Sequence, residues 1–310
     1  MGDDVSIKPI EVNDNHVHLE SDFLRWRQIE LDGQYPSEEW QEDVWQQTVG
    51  STTVENFPVD REYEMRFCKK IVALCEEKGE EVSEQWYQRL AELFSDSSAR
   101  PAYRTYMLGK MHTKVSIRES RMAISGGTTG LCSWPAGEAL ASWVDGEGNN
   151  WEGKRVLELG SGSGISGIFI AKRWGSNLEE IVLTDCHDEV LSNLRHNVEV
   201  NLDKGGVKVR VEELDWESIS ESSFPMKPDI LLGADIVFDG RVIPSLVNTI
   251  HLLLSSSSKA HIACTVRNQD TLDLFLSECR RKELRVEEEP LEAPTSGLPP
   301  IIIIHLSKPP

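Results

Sequence analysis

Three acids stand where apolar runs end. Ile181-Val182-Leu183-Thr184 runs into Asp185, Leu214-Asp215-Trp216 follows the run Val207 to Val211, and Asp229 to Ala234 runs into Asp235. A carboxylate at the end of a buried strand can bond a polar ligand lying across the strand ends. One acid can accept both hydroxyls of a ribose. Asp215 can accept from an adenine amino group, and Trp216 beside it can cover the ring. A further run, Val156 to Leu159 with Glu158 inside it, leads into Gly160-Ser161-Gly162-Ser163-Gly164. Glycine suits such a turn because a Cβ would block a ligand or forbid positive φ. The helix that follows offers free backbone N–H groups at its start.

Gly162, Gly164 and Gly167 also satisfy the G-x-G-x-x-G dinucleotide pattern, which by itself is a weak signal. A nicotinamide enzyme requires neither the Leu214-Asp215-Trp216 element nor Asp235. The surrounding elements discriminate further. From Lys154 on, strands are predicted at 154–159, 180–184, 207–211, 228–234, 260–266 and 284–288, with helices near 164–174, 187–201, 242–254 and 269–282. Alternation of this kind predicts an α/β fold with a parallel sheet covered on both faces. Ile301-Ile302-Ile303-Ile304 reads as one more strand, buried on both sides. The loop before it holds Pro290, Pro294, Gly297 and Pro299 and has no room for a crossover helix. The last strand is therefore expected to run antiparallel to its predecessor.

Upstream, a helix is predicted over Pro135 to Trp143, ahead of a loop running from Asp145. The glycine- and threonine-rich stretch Gly126 to Gly130 precedes it, and strands are predicted over Tyr103 to Leu108 and Val115 to Glu119. Before Pro101 the pattern is helical. Helices are expected over Phe23 to Leu31, from Ser37 with Trp40 and Trp45, after Pro58 with Tyr63, Phe67, Ile71 and Leu74, and over Ser83 to Phe94. Three segments result: a polar, mobile stretch 1–20, a helical region 21–100, and a catalytic-type domain 101–310.

The formal net charge is −20, with 52 acidic against 32 basic residues. The first 100 residues hold 23 Asp and Glu and 10 Lys and Arg. Such a chain repels phosphate backbones, so nucleic acid is not expected as a partner. A lysine-bearing protein fits the charge better. No apolar stretch approaches the roughly 18–20 residues of a membrane span, so no membrane is expected. The six cysteines show no C-x-x-C pairing and read as free, buried thiols. The eight histidines form no ligand grouping, and no metal is expected.

Taken together, Thr128-Thr129-Gly130-Leu131 with Trp134, Val156 to Gly164, Thr184-Asp185-Cys186-His187, Leu214-Asp215-Trp216, Ala234-Asp235 and Cys264-Thr265-Val266-Arg267-Asn268 resemble the seven-strand protein-lysine methyltransferases of family 16. The resemblance runs from about Phe23 to the C-terminus, and most members of that family lack the N-terminal helical layer. It implies a Rossmann-like methyltransferase sheet of seven strands, the last antiparallel, and S-adenosylmethionine as cofactor. Carried over by position, Trp134 packs on the methionine side. Gly160, Ser161 and Gly162 line the carboxylate and ribose, Asp185 holds the ribose hydroxyls, Asp215 and Trp216 meet the adenine, and Ala234 touches the cofactor through its backbone. Asp235 clamps the substrate lysine. Phe238 stands where the family's D-x-x-Y element has tyrosine, so an aromatic wall of the lysine channel remains without a hydroxyl. The branch with a comparable N-terminal region implies translation elongation factor 2 as substrate and a cytoplasmic location. The alternatives are another protein, a small molecule, or a partner-binding module without catalysis. A nucleic-acid amino-methyltransferase fits less well, because Asp235-Ile236-Val237-Phe238 lacks the prolines of the N/D-P-P-Y/F motif.

Overall fold

The computed structural model describes residues 14–31, 33–96, 100–120, 122, 127–146, 151–203, 205–220, 226–291 and 299–309, with backbone alone for 14–17. The chain divides into two compact units, Met1–Tyr106 and Met107–Pro310. Gly126, the Glu147 to Asn150 part of the loop before the first core strand, and Pro294 and Gly297 lie outside the described residues.

The first unit is helical: α1 (Asp14–Leu24), α2 (Glu38–Gln47), α3 (Thr52–Asn56), α4 (Arg61–Lys78) and α5 (Glu84–Ser95). The helix expected over Phe23 to Leu31 instead ends at Leu24. Trp26 has φ of 56°, which a continuing helix does not allow. Its indole donates to the Tyr103 carbonyl at 2.9 Å, so tertiary contact overrides local propensity. On α4 the buried residues are Glu64, Phe67, Cys68, Ile71 and Cys75, one stripe at helical spacing. Phe23 meets Phe67 at 4.7 Å between ring centroids, and Trp45 meets Trp86 edge-on at 5.0 Å. The buried Glu64 carboxylate pairs with Arg89 and Arg100 at 2.6 and 2.5 Å. A buried charge is tolerated only when paired in this way. Strand β1 (Tyr103–Leu108) then carries the chain across the unit boundary.

The second unit continues with β2 (Thr113–Arg118), α6 (Pro135–Gly146), β3 (Arg155–Leu159), α7 (Ile165–Trp174), β4 (Glu180–Asp185), α8 (Asp188–Asn201) and β5 (Val209–Glu213). After these come β6 (Ile230–Ala234), α9 (Ile243–Leu253), β7 (Lys259–Thr265), α10 (Gln269–Arg281), β8 (Arg285–Leu291) and β9 (Ile301–Ser307). Seven strands form one sheet in the order β5-β4-β3-β6-β7-β9-β8. The pairs from β5 to β7 are parallel, and β9 runs antiparallel to both β7 and β8. This is the predicted α/β sheet with a reversed last strand, and β9 inserts between β7 and β8. Strand β8 extends through Pro290, which was expected in the loop. Proline is tolerated there because β8 is the sheet edge. Helices α6, α7 and α8 cover one face, and α9 and α10 pack on the other around Leu231, Ile250, Ile262, Phe275 and Ile304.

The chain builds outward from β3 to β5 and then returns to β6 beside β3. That reversal makes a crevice at the strand ends, where open α/β sheets bind ligands. Helix α8 fixes the crevice from behind. Asn193, Asn197 and Asn201 stand one turn apart and bond the backbone of β2 at Arg118 and Ser116. The fully buried Asn197 also donates to the Ser163 carbonyl in the glycine loop at 2.9 Å. Asn197→Ala removes the partners of the part-buried Arg118 N–H and the buried Ser163 carbonyl. The expected cost is about 1–3 kcal/mol, read as a lowered urea midpoint. A change under about 0.5 kcal/mol contradicts this role.

Candidate active site

The glycine loop between β3 and α7 forms one floor of the crevice. Gly160 and Gly162 have φ of 56° and 53°, where other residues are strained. A Cβ on Gly160 would stand 2.8 Å from Ile236 and 3.3 Å from the Trp216 ring. One on Gly162 would reach the Gly130 carbonyl at 3.3 Å. The loop is tied to β4 by Ser161, whose N–H donates to the Thr184 carbonyl at 2.8 Å and whose hydroxyl accepts from the Thr184 N–H at 3.1 Å. Ser133 and Ser163 bond at 2.7 Å and join the loop to the segment before α6. Trp134 in that segment donates its indole N–H to the Thr129 carbonyl at 3.1 Å.

Asp185 accepts from the Gly162 N–H at 3.1 Å through one oxygen, and from Cys186 and His187 N–H groups through the other. Its carboxylate is thereby oriented with acceptor capacity left over. Asp215 accepts from the Glu217 N–H at 2.9 Å, which fixes the turn that presents Trp216. Cys132 and Cys186 are not buried as expected of the thiols: Cys132 is partly exposed, Cys186 exposed, and both line the crevice. All six cysteines are free.

Glu158 is almost fully buried on β3, opposite Leu183 on β4 and Leu232 on β6. Ser166 donates to its Oε1, while Oε2 is buried beside Gly167 without a hydrogen bond of good geometry, and the residue lines the crevice. Burial pushes this carboxyl up to about 7, against the lowering effect of the Ser166 bond. An orphaned carboxylate oxygen at that place suits a cationic group of a ligand.

Asp235 is the most heavily bonded acid of the site. It sits at φ of 53°, directly after β6, and its side chain is only 4% exposed. Five donors reach it: the Ala136 N–H at 3.1 Å, the Thr265 N–H and hydroxyl at 3.0 Å each, and the Arg267 guanidinium at 3.0 and 3.3 Å. The expectation of an acid available as a clamp thus meets a carboxylate already bonded from three segments. Arg267 appeared in the sequence only as part of a motif. Its importance depends on an ion pair across 32 positions, which no local pattern reveals.

All ten residues singled out from the sequence line one crevice of about 280 Å³: Trp134, Gly160, Ser161, Gly162, Asp185, Asp215, Trp216, Ala234, Asp235 and Phe238. Phe238 is 56% exposed, so it forms the rim. Glu158, Thr128 and Thr129 line the same space, although the sequence alone gave them no separate role.

Glu158 gives a pH prediction. Its folded-state pKa lies above the ordinary value, so the folded protein binds this proton more tightly than the unfolded chain does. The group therefore costs stability progressively as pH rises from about 4.5 to about 7, and the cost then stays constant. Glu158→Gln removes the ionised form. It is expected to stabilise the ligand-free protein by a few kcal/mol at pH 8 relative to its effect at pH 5, measured by urea unfolding. An effect equal at both pH values contradicts the buried, unpaired carboxylate.

The family described as lysine methyltransferase, methyltransferase family 16, matches residues 111–281, all within the second unit. The protein-lysine N-methyltransferase EEF2KMT of Mus musculus is 31% identical over 242 residues, covering 74% of this chain and 71% of the mouse protein. The protein-lysine N-methyltransferase EFM3 of Chaetomium thermophilum is 31% identical over 281 residues, covering 82% of this chain and 83% of the fungal one. Both matches are longer than the second unit and so reach into the first. The calmodulin-lysine N-methyltransferase of Arabidopsis thaliana is 32% identical over 155 residues and covers 49% of this chain and 50% of its own. With a family match over more than half its length and relatives similar across both units, the chain belongs to the family-16 protein-lysine N-methyltransferases, enzymes that use S-adenosylmethionine as methyl donor.

Proposed function

We propose that this enzyme methylates a lysine of translation elongation factor 2 in the cytoplasm, up to trimethyllysine, with cofactor and lysine meeting in the crevice between β3 and β6. One observation supports this crevice as the site: the ten residues that the resemblance singles out line it together. Trp134 takes the methionine side of the cofactor. Gly160, Ser161 and Gly162 offer close backbone to its carboxylate and ribose, and Ala234 borders it through its backbone. Asp185 accepts from the ribose hydroxyls, and Asp215 and Trp216 receive the adenine. The unpartnered Oε2 of Glu158 fits the cofactor's ammonium. When bound, S-adenosylmethionine supplies an electrophilic methyl group.

The lysine enters past Phe238 toward Asp235. The enzyme's own contribution is to align the nitrogen and exclude water. Lysine has a reference pKa of about 10.4, so presenting a neutral amine at pH 7 costs roughly 4–5 kcal/mol. The oxygens of Asp235 are already bonded, so it orients the lysine through its charge rather than through a vacant lone pair. The acidic first unit serves as a docking surface for the protein substrate. Two relatives named as protein-lysine methyltransferases share sequence reaching into that unit, whereas the family match itself does not. Opposite charge there mainly speeds encounter and makes it salt-sensitive.

Two outcomes test this. Gly162→Arg forces a side chain at a left-handed position against the Gly130 carbonyl on the crevice wall, so calorimetry should find S-adenosylmethionine binding abolished while the fold, read by circular dichroism, persists. An unchanged affinity removes the crevice from the account. Full-length protein incubated with purified elongation factor 2 and S-adenosylmethionine should modify one lysine, identified by mass spectrometry of the digest. Asp235→Asn should remove most of that activity, and should also lower stability by about 1–3 kcal/mol, because it disturbs bonds to Ala136, Thr265 and Arg267. Modification of calmodulin or another protein, with elongation factor 2 untouched, refutes the named substrate and leaves the family assignment standing.

A further inference from the structure

Arg267 is placed by rigid surroundings. It stands directly before Asn268, the N-cap of α10, which accepts from the Asp270 N–H at 2.9 Å. The Val266 N–H beside it donates to the Pro300 carbonyl at 2.8 Å. From there the guanidinium reaches in two directions. It forks onto both oxygens of Asp235, and it lies over the Trp134 ring with 5.0 Å between its carbon and the ring centroid. Both partners line the crevice, and Arg267 stands behind them at 40% exposure. Fork and aromatic face together are a geometry that arginine satisfies and lysine does not.

The chemistry of transfer gives this pair a purpose. A bare carboxylate at the end of the lysine channel binds the ammonium form, which has no lone pair to attack with. An opposite charge within about 4–6 Å raises an amine's pKa. Each unit of that rise removes another tenfold of the neutral amine at neutral pH. Among the described residues lining the crevice, the other charged groups do not offset Asp235: Glu158 on β3, Asp185 at the end of β4, Asp215 and Glu217 after β5, and Asp239 after β6 are all acids. Asp239 is held low by its own partner, Arg241. On α6 the titratable group nearest in sequence to Ala136 is the acid Glu138. On β7, burial pushes the Cys264 thiol up to about 12, so it stays neutral. Arg267 is the cation bonded to Asp235.

We propose that Arg267 is a positioning residue of the methyl transfer, compensating Asp235 so that the acid orients the target lysine without holding it as an ammonium. The proposal rests on the reading that the lysine approaches Asp235. The guanidinium weakens, without cancelling, the negative field that Asp235 presents to the channel. The lysine's proton passes to solvent, and the freed lone pair faces the methyl donor. Trp134 keeps the guanidinium in place while its own ring lines the cofactor side.

The test uses the full-length protein, S-adenosylmethionine and purified elongation factor 2, or whichever protein the wild type is found to modify at lysine. Arg267→Met keeps the stem and removes the charge. It is expected to lower kcat near neutral pH about tenfold, to leave KM for the protein substrate unchanged or lower, and to move the rising limb of the kcat–pH profile about one unit upward. Arg267→Lys keeps the charge without the fork and is expected to restore the position of that limb, even where thermal unfolding shows it less stable. S-adenosylmethionine affinity, measured in parallel, is expected to change less than threefold for both. A purely structural role predicts the opposite pattern: losses equal at every pH, a raised KM, and no rescue by lysine. That pattern, or a wild-type profile for Arg267→Met, overturns the role of Arg267 while leaving the methyltransferase reading intact. Absence of lysine methylation by the wild type in every protein tried overturns both.

Discussion

The site depends on one buried carboxylate in a backbone conformation that few residues accept. Asp235 turns the chain at the end of β6 with positive φ, and its N–H is anchored to the Ala263 carbonyl at 2.9 Å. Its oxygens then gather the start of α6, the end of β7 and Arg267. The Ala136 N–H belongs to the first turn of α6, where backbone donors lack helical partners. The carboxylate caps that helix from across the crevice. Backbone strain of this kind costs of order 1–3 kcal/mol and persists only where the surroundings over-determine it. Five hydrogen bonds from three segments do so here. The same contacts set the spacing between Trp134 and the strand ends.

A second constraint acts at β3. Glu158 stands between two parallel neighbours, where strands are normally apolar on both sides. Its carboxyl is pushed up by burial and keeps one oxygen unbonded. In the ligand-free protein this is an unfavourable arrangement. The glycine loop bounds the crevice from the backbone side. Its left-handed residues let Trp216, Ile236 and the Gly130 carbonyl approach closer than any side chain would permit. Strand ends and the turns directly after them therefore carry most of the surface that lines the crevice.

Much of this was legible in the sequence. Strand ends carrying Asp185 and Asp235 show as apolar runs closed by acids, and the order of strands and helices gave a parallel sheet with a reversed last strand. Those features are local, and short-range patterning encodes them. What the sequence hid is long-range. The insertion of β9 between β7 and β8 depends on pairing across the sheet. The asparagine ladder of α8 looks like an ordinary polar helix face until β2 lies beside it. Helix α1 ends at Leu24 because Trp26 finds Tyr103, 77 positions away. The bonds between Asp235 and Arg267 are of the same type. Sequence position marked the acid as a site residue, and only the fold shows that it arrives already paired.

The most direct measurement is a crystal structure of the full-length protein with S-adenosylhomocysteine and a lysine-containing peptide of elongation factor 2. The account predicts adenosine bounded by Asp185, Asp215 and Trp216, the amino-acid end of the cofactor beside Glu158, and the lysine nitrogen between Phe238 and the Asp235–Arg267 pair, in line with the sulfur. A nucleoside bound elsewhere, or a lysine entering from a side that leaves Asp235 and Phe238 without contact, would contradict it.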